Sequence, residues 1–199
     1  MKKMKTVFRI DRDKRLATSE VMDEAAWVLA GEGVATIKFD GTAAMVRDSK
    51  LYKRYDRRPE KRFLRRLKRD PNFTLETDMF KAAPDGFEAC EVLPDHKTGH
   101  WPGWLPVGQG PEDRWFREAW GAGKLTDGTY ELVGPKIQNN KYNLDRHELW
   151  QHGCKYVEVD RSFEAISEWL ASNVHEGLVF HHPDGRMAKI RRKDFQLDW

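Results

Sequence analysis

The sequence predicts an α+β fold in which antiparallel sheets carry the reactive groups and helices pack outside them. Three observations lead there. An apolar, β-branched run, Val34-Ala35-Thr36-Ile37, ends on a lone lysine, Lys38, just before Asp40-Gly41. The last fifth of the chain reads as a hairpin, Leu178 to His182 and Met187 to Arg191, around the turn Pro183-Asp184-Gly185-Arg186. Two stretches with helical spacing flank these strands, one from Thr18 or Ser19 to Ala30 and one opened by Ser162.

Taken in order, Thr6 to Ile10 alternates as a short strand. Val21, Ala25, Val28 and Leu29 share one face of the first expected helix, which Gly31 and Gly33 end. Lys38 follows on its strand, and Asp40-Gly41 reads as a hairpin turn into Thr42 to Arg47 and Lys50 to Tyr55, an antiparallel meander with Lys38 near its rim. A basic segment comes next, with Lys53, Arg54, Arg65, Arg66 and Lys68 among its ten cations and Tyr52, Tyr55 and Phe63 between them. A run of cations alone suits a solvated helical face, whereas aromatic interleaving suits a surface that tracks phosphates and stacks bases. Phe87 to Val92 is an expected strand. The Trp/Pro/Gly-rich stretch His96 to Pro106 reads as an aperiodic loop, either a plug at the core edge or an aromatic wall beside a pocket. Glu112 to Trp120 forms a short helix after Pro111, and Gly128 to Gly134 a strand carrying one carboxylate, Glu131. Segment 135–153 is polar and turn-rich, Lys155 to Val159 is a strand, and Phe163, Ile166, Trp169 and Leu170 face inward from the last helix.

With 199 residues the chain suits one domain, 1–199, with the basic and Trp/Pro/Gly-rich segments as an insertion at about 53–120. Charged residues make up 34% of it yet nearly cancel to a formal +3, so net charge alone does not imply a nucleic-acid partner. Cys90 and Cys154 are too few for a disulfide framework and lack metal-ligand spacing, which fits a reducing, cytoplasmic setting. The basic N-terminus leads into no long apolar run, so neither a signal peptide nor a membrane span is expected. No protein partner is implied.

The lysine sets the chemistry. Held between apolar neighbours it loses hydration, which favours the neutral, nucleophilic amine. Lys189 and Arg191, two apart on one strand, project from the same face and call for an anion between or opposite them, either Glu176 or a phosphate. An amine attacking a phosphorus centre needs a neutral nucleophile, donors for the phosphate oxygens and a divalent cation. Lys38, then Lys189 with Arg191, then the carboxylates Asp40, Glu131 and Glu176 offer these three kinds of group. The two cations are also expected to lower the Lys38 pKa by repulsion.

Lys-Phe-Asp-Gly-Thr from Lys38, Tyr130-Glu131-Leu132-Val133-Gly134, Glu176-Gly177-Leu178-Val179-Phe180-His181 and Ala188-Lys189-Ile190-Arg191-Arg192 occur in the order seen in covalent nucleotidyltransferases. The chain resembles that superfamily of RNA ligases, DNA ligases and capping enzymes. With Leu-Tyr-Lys-Arg-Tyr-Asp from Leu51, it looks most like the small 5′-to-3′ RNA ligases related to the vertebrate enzyme. The resemblance implies an adenylation domain of ATP-grasp-like type without an appended oligonucleotide-binding barrel, ATP and Mg2+ or Mn2+ as cofactors, and a cytoplasmic RNA-repair role. It implies that Lys38 takes AMP, which passes to an RNA 5′-phosphate before a 3′-hydroxyl displaces it. By the same resemblance Glu131 contacts the ribose, Glu176 holds the metal with Asp40 or Glu131, and Lys189 and Arg191 contact the α-phosphate. Thr36, Ile37, Phe39, Asp40 and Gly41 line the nucleotide pocket, and Lys53, Arg54, Arg65, Arg66 and Lys68 meet RNA. Alternatives are a DNA-nick ligase core, a capping-type guanylyltransferase and an inactive RNA-binding module. The chain departs from the family in Ala43 and Ala44, where an arginine often follows the first motif, and in Arg191, where the family often has lysine.

Overall fold

A computed structural model describes residues 4–11, 13–70, 72–121 and 124–199. In chain order the strands and helices are β1 (Lys5–Thr6), β2 (Phe8–Ile10), β3 (Ala17–Val21), α1 (Ala26–Leu29), β4 (Val34–Lys38), β5 (Thr42–Arg47), β6 (Lys50–Arg57), α2 (Lys61–Arg69), β7 (Glu88–Ala89), β8 (Trp101–Pro106), α3 (Arg114–Gly121), β9 (Gly128–Val133), β10 (Glu148–Gln151), β11 (Tyr156–Val157), α4 (Phe163–Ser172), β12 (Gly177–His181) and β13 (Met187–Arg191). The fold is mixed α+β with antiparallel pairing dominant; among the described residues only β1 against β13 pairs in parallel. No helix among the described residues is long and apolar enough to cross a membrane. The chain divides into two compact units, 41–149 and 4–40 with 150–199.

The second unit is built on the sheet β1-β13-β12-β4-β11, with β2 and β3 as a separate pair. Residues 35, 37, 178, 180, 188 and 190 share one face and form its core with Ile166 and Leu170 of α4. Alternation dictates this arrangement, because every second side chain of a strand points the same way. Ser162 Oγ accepts from Ala165 N at 3.0 Å and caps α4. The helix expected from Thr18 to Ala30 is a correction. Ala17–Val21 is β3, paired with β2 through Phe8↔Val21 and Ile10↔Ala17, and only Ala26–Leu29 is α-helical. Thr18 and Val21 suit a strand, and a partner for the buried Phe8 strand outweighs weak helix propensity.

The first unit is built on the sheet β10-β9-β5-β6-β8-β7. Ala44, Val46, Leu51, Tyr130 and Leu132 form one core with Phe116 and Ala119 of α3, and Leu75, Phe80 and Trp101 form a second that receives Phe63 and Leu67 of α2. The expected meander is also corrected, since β4 and β5 lie in different sheets and Asp40-Gly41 is a crossing rather than a hairpin. Gly41 is needed for a different reason. A Cβ there would stand 2.1 Å from Leu132 O, so only glycine admits β9 so close. The expected loop 96–106 contains β8, and β10 arises within the stretch read as turns. Pro102 and Pro106 disguise β8; they are tolerated because β7 pairs with it only at Gly103 and Trp104.

Candidate active site

The register of β4, β12 and β13 assembles the lysine's surroundings. Gly177 lies between Lys38 on one side and Arg191 on the other, and Val179 lies between Thr36 and Lys189. Thr36, Lys38, Lys189 and Arg191 therefore share the sheet face opposite the apolar core. Gly177 is required there as well, since a Cβ would come within 2.1 Å of Ile190 O. Glu176, immediately before β12, accepts an ion-paired hydrogen bond from Lys38 Nζ, which also donates to Phe39 O at 3.3 Å. Both side chains of this ion pair are less than one-fifth exposed.

Electrostatic strain in this cluster falls on Lys189. Burial pushes its ammonium down to about 8; repulsion from Lys38 and Arg191 adds to the depression, and Glu176 and Asp194 partly offset it. Lys38 has Glu176 as counterion, while Lys189 forms no ion pair among the described residues. Below pH 8 the folded and unfolded states both carry the Lys189 charge, and the folded state bears its cost. As pH rises from about 8 towards the ordinary 10.5, the folded state loses its proton first and stability rises. Lys189→Met is thus expected to be more stable than wild type at pH 7 by about 1 kcal/mol, or roughly 2–4 °C. The gap should close towards pH 10. Thermal melts across pH check this, and a variant that melts below wild type at pH 7 overturns it.

Other predicted residues fall differently. Ile37 and Phe39 point into the apolar core, Phe39 edge-on to Trp150 at 5.1 Å, because they alternate with Lys38. They back the lysine rather than share its face. Thr36 is buried, with Oγ1 2.9 Å from His181 Nε2 and donating to Val179 O at 3.3 Å. Burial pushes the His181 imidazolium pKa down, with His152 adding repulsion. Asp40 Oδ2 accepts from the Trp199 indole at 2.7 Å. Among the described residues no three His, Cys, Asp or Glu side chains converge as a ready-made metal cage.

In the other unit, Glu131 is 9% exposed and pairs with Ala43. Ala44 pairs with Lys53, so Lys53 lies on the core face with Tyr130, while Arg54 projects to the face of Ala43 and Glu131. Lys53 Nζ donates to Asp113 Oδ1 at 2.5 Å; that aspartate is 2% exposed and also accepts from Gly108 N at 2.7 Å. Lys53 thus anchors the approach to α3. Arg54 lies over Trp104 at 5.8 Å, and burial pushes its guanidinium down. Arg47 is held by both oxygens of Glu88 at 2.7 Å. On α2, Arg65, Arg66 and Lys68 are exposed while Phe63 and Leu67 face the second core. The interleaved aromatic rings are occupied: Arg47 covers Tyr52, Tyr55 meets Phe87 edge-on, and Arg62 covers Phe63. His96 and His100 are engaged by Leu75 O and Asp56.

No protein-family model matches the chain. RNA ligase 1 of Mus musculus and that of Rattus norvegicus are each 28% identical to it over 247 aligned positions, covering 94% of this chain and 74% of the relative. RNA ligase 1 of Pongo abelii is 29% identical with the same coverage. The chain is similar to RNA ligase 1. At 94% coverage the likeness to RNA ligase 1 takes in both compact units, not the lysine-bearing unit alone. Sequence reasoning did not single out Arg192, Asp113 or Trp199, which take partners distant in sequence, or Asp194, whose local pairing with Arg191 depends on a bend of the chain.

Proposed function

We propose that the protein is an ATP-dependent RNA ligase of nucleotidyltransferase fold that works through a lysyl-AMP intermediate on Lys38. The observation that carries this reading is the shared face of β4, β12 and β13, where one lysine stands beside a carboxylate and two further cations. The likeness to RNA ligase 1 supports the choice of RNA as the strand sealed.

In this reading Lys38 Nζ, freed from Glu176 and deprotonated, attacks the α-phosphorus of ATP. An N–P bond forms, the bond to the β-phosphate bridging oxygen breaks, and pyrophosphate leaves. Lys189 and Arg191 donate to the α-phosphate oxygens as charge accumulates there. An RNA 5′-phosphate oxygen then takes the adenylyl group from the lysine, and a 3′-hydroxyl attacks the RNA 5′-phosphorus, forming the new phosphodiester and expelling AMP. A bound Mg2+ or Mn2+ would offset phosphate charge. Glu176 would hold it, with Asp40 as a further candidate. A single carboxylate completed by phosphate oxygens and water suits Mg2+ without a protein cage. In the other unit, Arg54, on the face of Glu131, is the cation of its strand suited to phosphate.

The test is intact mass after incubation with ATP and either metal: one added AMP per chain is expected, and release of that AMP on adding RNA with 5′-phosphate and 3′-hydroxyl ends. Absence of any adduct, with bound AMP removed beforehand, would remove the reading.

The α2 surface fits RNA as a phosphate-tracking ridge, because its cations are exposed and the neighbouring rings are already covered. Replacing Arg65, Arg66 and Lys68 with glutamine is expected to weaken RNA binding and to lower the slope of log K against log salt by about 2. Self-adenylation should be unaffected. An unchanged salt slope would make the ridge a solvated face.

A further inference from the structure

The residues that follow β13 touch the lysine site from two directions. Asp194, 2% exposed, accepts from Arg191 Nε at 3.1 Å, from Nη2 at 2.8 Å and from the backbone N at 3.0 Å. Three bonds from one residue fix where the guanidinium sits and how it is turned. They leave Nη1 and one Nη2 hydrogen for another acceptor. Arg192, itself buried, donates to Leu170 O, to Asn173 O at 3.1 Å and to Asp198 O at 2.7 Å, which pins the segment to the end of α4 and closes it on itself. Gln196 turns the chain with φ 60° and ψ 24°, and Phe195 and Leu197 pack on the core. Trp199 then donates its indole N–H to Asp40, two residues beyond Lys38.

We propose that residues 192–199 form a brace that positions the adenylation site, with Asp194 and Trp199 as positioning residues. The inference rests on the reading that Lys38 takes AMP. One end of the brace orients the cation across Gly177 from Lys38. The other holds the carboxylate beside the lysine's strand end. Groups held in advance do not have to be ordered when the phosphate arrives, so their loss appears in the rate of the folded enzyme rather than in its amount.

Trp199→Phe keeps an aromatic ring but removes the N–H donor together with part of the indole's bulk, while Asp194→Asn keeps the size and removes the charge. Time courses of AMP incorporation at saturating ATP, followed by intact mass, give both a rate constant and a final adenylated fraction. The expected result is a rate about tenfold lower for Trp199→Phe and roughly 10–100-fold lower for Asp194→Asn, with the final fraction unchanged. An unchanged rate overturns the proposal, and so does a reduced final fraction formed at the wild-type rate, which marks a merely structural role. If Asp194→Asn does not fold, Trp199→Phe decides alone. Wild-type protein that takes up no AMP would sink the lysyl-AMP reading instead. The brace would then be judged by solvent exchange of the Trp199 indole proton, assigned through its loss in Trp199→Phe. That exchange is expected to be slow in wild type and faster in Asp40→Ala; equal exchange overturns the brace.

Discussion

Lys38→Ala is expected to form no AMP adduct and to seal no 5′-phosphorylated RNA, with both rates down at least about a thousandfold. The size of the effect follows from the kind of step removed. The lysine is a covalent partner, and alanine leaves no nitrogen to attack phosphorus. Its neighbours cannot replace it. Arg191 is fixed by Asp194, and Lys189 starts from a different strand, so neither presents an amine at the same point. Intact mass with ATP and a divalent ion checks the first half. The second half is checked with RNA whose 5′ end already carries AMP, which bypasses the lysine: this variant should seal such RNA at a rate far nearer wild type. Lys38→Ala that adenylates itself, or that seals ordinary 5′-phosphate ends with ATP, would show that another residue is the nucleophile.

How far this site could be read beforehand depended on whether its geometry was local. A strand with an apolar, β-branched run and a hairpin around Asp184-Gly185 are local signals, and β4, β12 and β13 formed where alternation predicts. Once those three strands are adjacent, period-two alternation places Thr36, Lys38, Lys189 and Arg191 together and sends Ile37 and Phe39 to the core. Helix α4 was equally legible through its Ser162 cap. Signals whose meaning depends on a partner misled. Asp40-Gly41 has turn composition, but Gly41 answers to the carbonyl of Leu132. Lys53 and Arg54 are equivalent in a list of charges, yet one residue of alternation sends the first to Asp113 in the packed face and the second to the face of Glu131. The pairing of Asp194 with Arg191 is close in sequence, but nothing in the residue types says that the chain bends there to bring the Nε–Nη2 edge of the guanidinium to both oxygens of one carboxylate.

Glu176→Gln separates two roles that the same ion pair permits. If Glu176 served only as a counterion, losing its charge would release the Lys38 amine, and adenylation would speed up or stay level. If it also holds the divalent ion among the phosphates, the neutral amide is a much weaker ligand, and that loss should outweigh the gain. The second effect is the larger on magnitude. An ion pair at a partly exposed site contributes on the order of 1 kcal/mol, whereas the charge a metal offsets in a phosphoryl-type transition state contributes several. Adenylation by Glu176→Gln is therefore expected to fall about a hundredfold, and the deficit should narrow as Mn2+ is raised, because weakened metal binding responds to mass action and a misplaced lysine does not. Rates measured across a metal titration decide between the two roles. A faster variant, or one equally slow at every metal concentration, would take the metal away from Glu176 and leave it as the lysine's counterion.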